Sequence, residues 1–390
     1  MKKRLIAVLV CLTMVAGLVV GCGGKEETSK EETTGTETEA KTEAEAGVQQ
    51  LQADGSAAKD DLHFAIILPS LGHEFWKNCL TLAEQTAETE GIKLTTYNCE
   101  DSSDKCAEYI ETACNSGIDG LIFVAYFDMG PKCLATAKTA NIPVIIIDAY
   151  IPDIAPGEEG YDNYLAFIGP SDEESGYQMA CALFDGMEAN DKGEKIVGVV
   201  NGTAGSTVAV DRRAGFERAY KEYTDKGEKI TIAGEVTGDF VRDKSQEVTE
   251  SLLQGNPDIK GIWAANGGTG TGVLAAVSSL GYKPGEDIKI VCMDLNEENV
   301  NSVKKGDMLF DVGGHWLQGA FAVTMMCDYL NGFDLPADRN VKLTPIPVFQ
   351  DDVDDFLSVF VDFLPPYDAH EYSRTFNKDA APEPPALSYK

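Results

Sequence analysis

Basic side chains are scarce in this chain, with 32 Lys and Arg against 64 Asp and Glu and a formal charge of −32 over 390 residues. A surface of that sign repels phosphate backbones and anionic headgroups, so nucleic acid and anionic lipid are poor partners. Histidine is scarcer still, at 4 residues, and no pair of cysteines or histidines has zinc-ligand spacing. No metal site is expected. The acidic run Asp351-Asp352-Val353-Asp354-Asp355 lacks the glycine and the spaced glutamate of a calcium loop and reads as a solvated turn. The loop Asn201-Gly202-Thr203-Ala204-Gly205-Ser206-Thr207 lacks the lysine of a phosphate-binding loop and reads as a turn on the ligand side. No catalytic pair is evident, so no enzyme and no cofactor are expected.

What is present begins with Met1-Lys2-Lys3-Arg4, an uncharged apolar run from Leu5 to Val20, and Gly21-Cys22-Gly23-Gly24. A cationic start, an apolar middle and small residues at the end describe a secretory signal, and the run is short for a spanning helix. The stretch Val19-Val20-Gly21-Cys22 resembles the lipobox of bacterial lipoproteins. That resemblance implies a signal peptide over 1–21, cleavage before Cys22, a diacylglycerol on its sulfur and an extracytoplasmic protein anchored to the cell membrane. Residues 22–60 are rich in Glu, Thr and Lys, and aromatics are absent until His63-Phe64. Such a segment buries too little apolar area to offset chain ordering, so a flexible acidic tether is expected.

Beyond the tether about 330 residues remain, enough for two domains. Of the ten cysteines, Cys11 falls in the signal and Cys22 on the lipid site. Most of the others sit in apolar patterns such as Val291-Cys292-Met293 and read as small buried hydrophobes; a Cys99–Cys106 bridge is left open.

From residue 62 short apolar runs alternate with helical patterns. Strands are expected at 62–69, 92–98, 120–124 and 142–148, with helices at 74–90 and 103–115 and another opened by Pro131. The series restarts with strands at 195–200, 230–233, 261–265 and 288–294 and helices between them. Both halves are βαβ series, hence α/β lobes with mostly parallel sheets. Each has a strand ending in an acid, Asp148 in one and Asp294 in the other. Open sheets of this kind bind ligands outside the carboxyl ends of their strands, which would bring both acids to one cleft.

Several motifs carry a family resemblance: His73-Glu74-Phe75-Trp76, Asn141-Ile142-Pro143-Val144 leading to Asp148, Asp211-Arg212-Arg213-Ala214-Gly215-Phe216, Ala265-Asn266-Gly267 and Met293-Asp294. Over residues 62 to 330 the chain resembles the type I solute-binding proteins of sugar ABC importers. The resemblance implies two Rossmann-like lobes joined by a three-segment hinge, the first over 61–168 and 315–340, the second over 169–314 and 341–390. It implies a monomer that captures a monosaccharide between the lobes and delivers it to a membrane permease. Asp148, Asp294 and Asn266 would grip hydroxyls, with Phe75, Trp76 and Phe240 against the sugar faces. Tyr126, His315 and Trp316 are on loops expected to face the same cleft.

The sequence also departs from the family pattern. Ribose-type members carry arginines where this chain has Ala149 and Val210, and a glutamine near the last crossover where it has Gly313-Gly314-His315. Arg212 is expected to support its loop. The tail from Asp351, with Phe356, Phe360, Phe363, Pro365-Pro366 and Tyr367, is longer than usual and is expected to pack on the lobes. Two rivals stay open. A receptor for autoinducer-2, a nucleoside or a polyol, feeding a transporter or a sensor kinase, would use the same fold. Gly270-Thr271-Gly272 after a strand, with Asp294 beyond it, also matches a dinucleotide-binding turn.

Overall fold

A computed structural model describes residues 50–390; the expected signal peptide, Cys22 and the tether up to residue 49 lie outside the described residues. The first half runs β1 (His63–Leu68), α1 (Glu74–Thr89), β2 (Lys93–Asn98), α2 (Ser103–Cys114), β3 (Gly120–Val124), α3 (Gly130–Thr139), β4 (Val144–Ile147) and β5 (Tyr164–Pro170). It continues with α4 (Asp172–Gly186), β6 (Glu194–Asn201), α5 (Thr207–Asp225), β7 (Lys229–Thr237), α6 (Arg242–Gly255), β8 (Gly261–Ala264), α7 (Gly267–Ser279), β9 (Lys289–Met293), α8 (Glu297–Lys305) and β10 (Phe310–Gly313). Then come α9 (Gln318–Leu330), β11 (Asn340–Leu343), β12 (Ile346–Phe349), α10 (Val353–Val359) and α11 (Ala369–Tyr372).

Two six-stranded sheets result, in the orders β11-β5-β4-β3-β1-β2 and β12-β10-β9-β8-β6-β7. Every pairing is parallel except β10 with β12. Burial explains the order. The five apolar residues after His63 in β1 are all buried, as are all of β3 and β4, so these strands need helices on both faces. The Lys93-Leu94-Thr95-Thr96-Tyr97-Asn98 strand is polar enough for an edge and has no fully buried residue. Helix starts are set locally: Ser102 accepts from Lys105 N–H, Ser206 from Ala209 N–H and Asn266 from Thr269 N–H.

The chain passes between the sheets after β5, between β10 and α9, and between β11 and β12. This is the expected pair of α/β lobes with three connecting segments. The boundary at 340 is corrected: β11, at 340–343, pairs with β5 at the edge of the first sheet. The tether is corrected too. Residues 51 and 53 donate backbone hydrogen bonds to Thr375 O and Asn331 O at 2.8 and 3.0 Å, so the part from residue 50 onward is fixed to the first lobe.

The tail does not stay on the second lobe. Residues 350–363 cover α8 and β12, with Phe356 and Phe360 stacked at 4.5 Å. Further on, Ser373 Oγ, Thr375 N–H and Thr375 Oγ1 all donate to the carboxylate of Asp328 on α9, at 2.8, 2.9 and 2.9 Å. The chain then returns to β12, where Tyr389 OH donates to Pro347 O at 2.5 Å. It is a strap laid over both lobes. All eight described cysteines are free, and all but Cys181 are buried. Cys99 and Cys106 lie in one buried cluster as thiols.

Candidate functional site

Between the lobes, at the carboxyl ends of both sets of strands, lies a cavity of about 390 Å³, within the usual size range of small-molecule sites. The first lobe contributes Phe75 and Trp76 at the start of α1, Tyr126 after β3 and Asp148 after β4. The second contributes Phe240 before α6, Asn266 before α7 and Asp294 after β9; His315 comes from a crossover. Eight of the nine residues expected from the sequence therefore line one cavity.

Asp148 is 2% exposed and sits at φ 66°, a backbone angle that turns its carboxylate out of the strand. Tyr126 OH donates to its Oδ2 at 2.9 Å and Gln318 Nε2 to its Oδ1 at 3.1 Å. Burial pushes its pKa up, and Arg212 and the two donors oppose that. Asp294 is its counterpart, 3% exposed at φ 107°. Its Oδ2 accepts from Gly267 N–H at 2.9 Å, so it also serves the start of α7, while His315 Nε2 stands 3.7 Å from Oδ1. Burial raises its pKa to about 6. Asn266 spends its Oδ1 on the cap of α7, which leaves its amide N–H₂ as the group available to a ligand.

The aromatic wall is assembled by mutual packing. Phe75 lies against His315 at 4.4 Å between centroids, Trp76 is edge-on to Phe75 at 4.9 Å, and Tyr126 is edge-on to Trp76 at 6.1 Å. Phe240 faces this group from the other lobe and sits over Gly202, where any Cβ would fall 2.0 Å from its ring. Burial holds the His315 pKa well below its usual range, so the ring is neutral.

Trp316 is the expected site residue that the structure removes. It is fully buried on the far side of the crossover, packs on Phe360 of the tail at 6.0 Å, and donates from Nε1 to Asp294 O at 3.0 Å. It supports the site without reaching the cavity. Its packing partner, Phe360, comes from the tail, far away in sequence.

Arg212 is both support and wall. It lines the cavity at 3% exposure, and its Nε donates to Asp172 Oδ1 at 2.7 Å and its Nη1 to Ala265 O at 2.9 Å. Burial opposes its charge; Asp172, Asp294 and Asp148 together overcome that and raise its pKa. Burial raises Asp172 to about 7 against the pull of Arg212. The pair is positioned by an unusually close helix crossing. A Cβ at Gly176 would fall 1.9 Å from Arg212 O and one at Gly215 would fall 1.9 Å from Glu173 O, so α4 and α5 meet backbone to backbone.

Two residues escaped sequence reasoning. Asp172 looked like one more acid in the first turn of a helix, and Gln318 lies three residues beyond the His315 position where a glutamine was sought. The glycine-rich turn is explained by packing. Gly270 faces Cys292 and Gly272 faces Arg242 O, each leaving no room for a Cβ, so these glycines let α7 press on β9 and α6. Thr203 of the Asn201–Thr207 loop does line the cavity.

Comparison with known proteins agrees with this architecture. A family model described as periplasmic binding protein domain matches residues 64–334. The ribose import binding protein of Bacillus subtilis is 25% identical over 257 residues, covering 66% of this chain and 77% of that protein. The D-allose-binding periplasmic protein of Escherichia coli is 26% identical over 287 residues, 73% of this chain and 86% of that protein. Among solved structures, a periplasmic solute-binding protein of an ABC transporter from Actinobacillus succinogenes, with bound D-allose, superposes with a TM-score of 0.67. It is 22% identical, covering 76% of this chain and 100% of that one, a likeness of fold.

Proposed function

The chain belongs to the periplasmic binding protein family, whose domain spans residues 64–334, and on that premise we propose that it is an extracytoplasmic receptor for a monosaccharide or a similar small polyhydroxy molecule. The observation that supports this most is the meeting of Asp148 and Asp294, from opposite sheets, in one cavity beside the plates of Phe75 and Trp76. Carboxylates accept two hydroxyl protons at once and bind them more strongly than neutral acceptors do. Aromatic faces cover the C–H faces of a ring sugar. The relatives named above are binding proteins, and the receptor is proposed to catalyse nothing.

Ligand would hold the lobes together by touching both, shifting an open–closed equilibrium about the three connecting segments. The closed form would dock on a membrane permease. A lipid on Cys22 and the tether that follows it would keep the receptor near that permease, raising its effective concentration without added contact. Thermal-shift and calorimetric screening against monosaccharides, polyols and nucleosides tests the reading. A monosaccharide should bind, and Asp294→Ala should weaken it by about 10- to 150-fold, the worth of a lost charged acceptor of roughly 1.5–3 kcal/mol. Unchanged affinity in that variant would sink the assignment of the site.

A further inference from the structure

The charges around the cleft do not cancel. His73 stands 3.4 Å from Asp101, Lys244 is paired with Asp239, and Arg212 is bound to Asp172 at 2.7 Å. Among the described residues lining the cavity, Arg212 is the one buried cation; it is paired with Asp172 and also attracts Asp148 and Asp294, so three buried acids share a single positive charge. Ala149 beside Asp148 supplies no charge. Lys342 spends its ammonium over the rings of Tyr150 and Phe167, at 5.4 and 4.6 Å, and makes no ion pair with either aspartate. His315, the group nearest Asp294 Oδ1, is held neutral by burial.

Beside the two aspartates the unfilled hydrogen-bonding capacity has the same character, while Asn266 keeps a free amide donor and His315 Nδ1 is unpartnered. Asp294 Oδ1 makes no hydrogen bond, since 3.7 Å to His315 Nε2 is too long for one. Gln318 Oε1 is buried without a partner beside Asp148. These are acceptors. Three buried carboxylates that share one counter-ion are costly, and the cost is removed either by protonation or by a bound cation. A neutral polyol offers hydroxyl protons and no charge, whereas an ammonium offers protons and charge together. The rings of Phe75, Trp76, Tyr126 and Phe240 suit the same group, because aromatic faces attract ammonium ions.

We infer that the ligand carries a positive charge: an amino sugar, or a small polyhydroxylated amine of that size, whose ammonium is held by Asp148 and Asp294 while Arg212 and Asn266 donate to its hydroxyls. The inference rests on the reading of the cleft as the site of a sugar-like ligand, and it narrows that class.

Calorimetry on the mature chain near neutral pH decides it, with a panel of hexoses and pentoses, the corresponding amino sugars with the ammonium at different carbons, and the N-acetyl form of each. The expected result is an amino sugar that binds at least about tenfold more tightly than both its hydroxyl parent and its N-acetyl form, the scale of one desolvated charge contact. Asp294→Asn, which keeps the shape and an acceptor for Gly267 N–H but removes the charge, should weaken both ligands and the amino sugar the more, so that the ratio of the two affinities falls. A neutral sugar that binds as well as its amino counterpart overturns the inference and leaves the sugar-receptor reading standing. A panel in which no sugar of any kind binds overturns both.

Discussion

Glu74 and Glu297 belong to opposite lobes, yet the Glu297 backbone N–H donates to Glu74 Oε1 at 2.6 Å. The contact places a carboxylate at the start of α8, where unpaired backbone N–H groups and the helix dipole favour negative charge. It forms only when the lobes are together. Glu74→Ala should therefore weaken ligand binding by about two- to fivefold, the equivalent of roughly 0.5–1 kcal/mol. The melting temperature of the ligand-free protein should hardly move. Calorimetry with scattering measurements of the open fraction checks both; an unchanged affinity would mean the contact does not contribute to closure.

Arg212 and Asp172 should behave as a buried pair. Removing the cation by Arg212→Ala strands Asp172 at 3% exposure and takes a donor from Ala265 O. Breaking one side of such a pair costs about 3–5 kcal/mol. Urea denaturation should show that loss for Arg212→Ala and a clearly smaller one for the double variant Arg212→Met with Asp172→Leu, which leaves no charge behind. Equal losses would show that the cost lies in packing.

The close crossing of α4 and α5 makes Gly215→Ala a sharp test. The added Cβ meets Glu173 O, a backbone atom that cannot swing away, so the helices must separate. Overpacking of this kind costs about 1–3 kcal/mol. Because Arg212 is carried on α5, ligand affinity should fall along with stability. A variant that loses stability and keeps full affinity would separate the crossing from the site.

Glu90 predicts how stability follows pH. It is 4% exposed; Thr324 Oγ1 donates to its Oε1 at 3.0 Å and its Oε2 has no partner. Burial raises its pKa to about 8, against about 4.3 in an unfolded chain. The folded state thus keeps a proton that the unfolded state releases. Its contribution is full below the unfolded value and is lost as pH rises through 8. Asp172, near 7, and Asp294, near 6, act in the same direction. Glu90→Gln should flatten the decline in melting temperature between pH 6 and 9 by at least about 2 °C. Parallel profiles for the two proteins would refute this role.

The alternation of apolar runs and helical patterns made both lobes legible, because β1, β3 and β4 are buried on both faces and leave continuous apolar stretches. Asp148 and Asp294 were legible for a related reason: an acid directly after a buried strand stands out. Trp316 was misread because its neighbour in space, Phe360, is far away in sequence, and no local pattern reports such a contact. Asp172 and Gln318 were missed because their meaning comes from Arg212 and Asp148, which fold beside them from elsewhere. The same holds for residues 51–53, whose polar surroundings concealed a backbone bond to Thr375.

The edge strand of the first sheet, β11, and the clamp of residues 373–375 on Asp328 come from the far end of the chain. Synthesis runs the other way. When β1 to β5 have emerged, that sheet still lacks its last strand, and α9 lacks both its place and the groups that satisfy Asp328. The first lobe to be made is thus completed only near the end of synthesis, as is the second, whose edge strand β12 follows β11. Its folding must wait on contacts between distant residues, which are slow to form. A chain released before residue 375 would carry an open sheet edge or an unanswered buried carboxylate, so truncated products should be recognisable by aggregation and proteolysis rather than by residual binding.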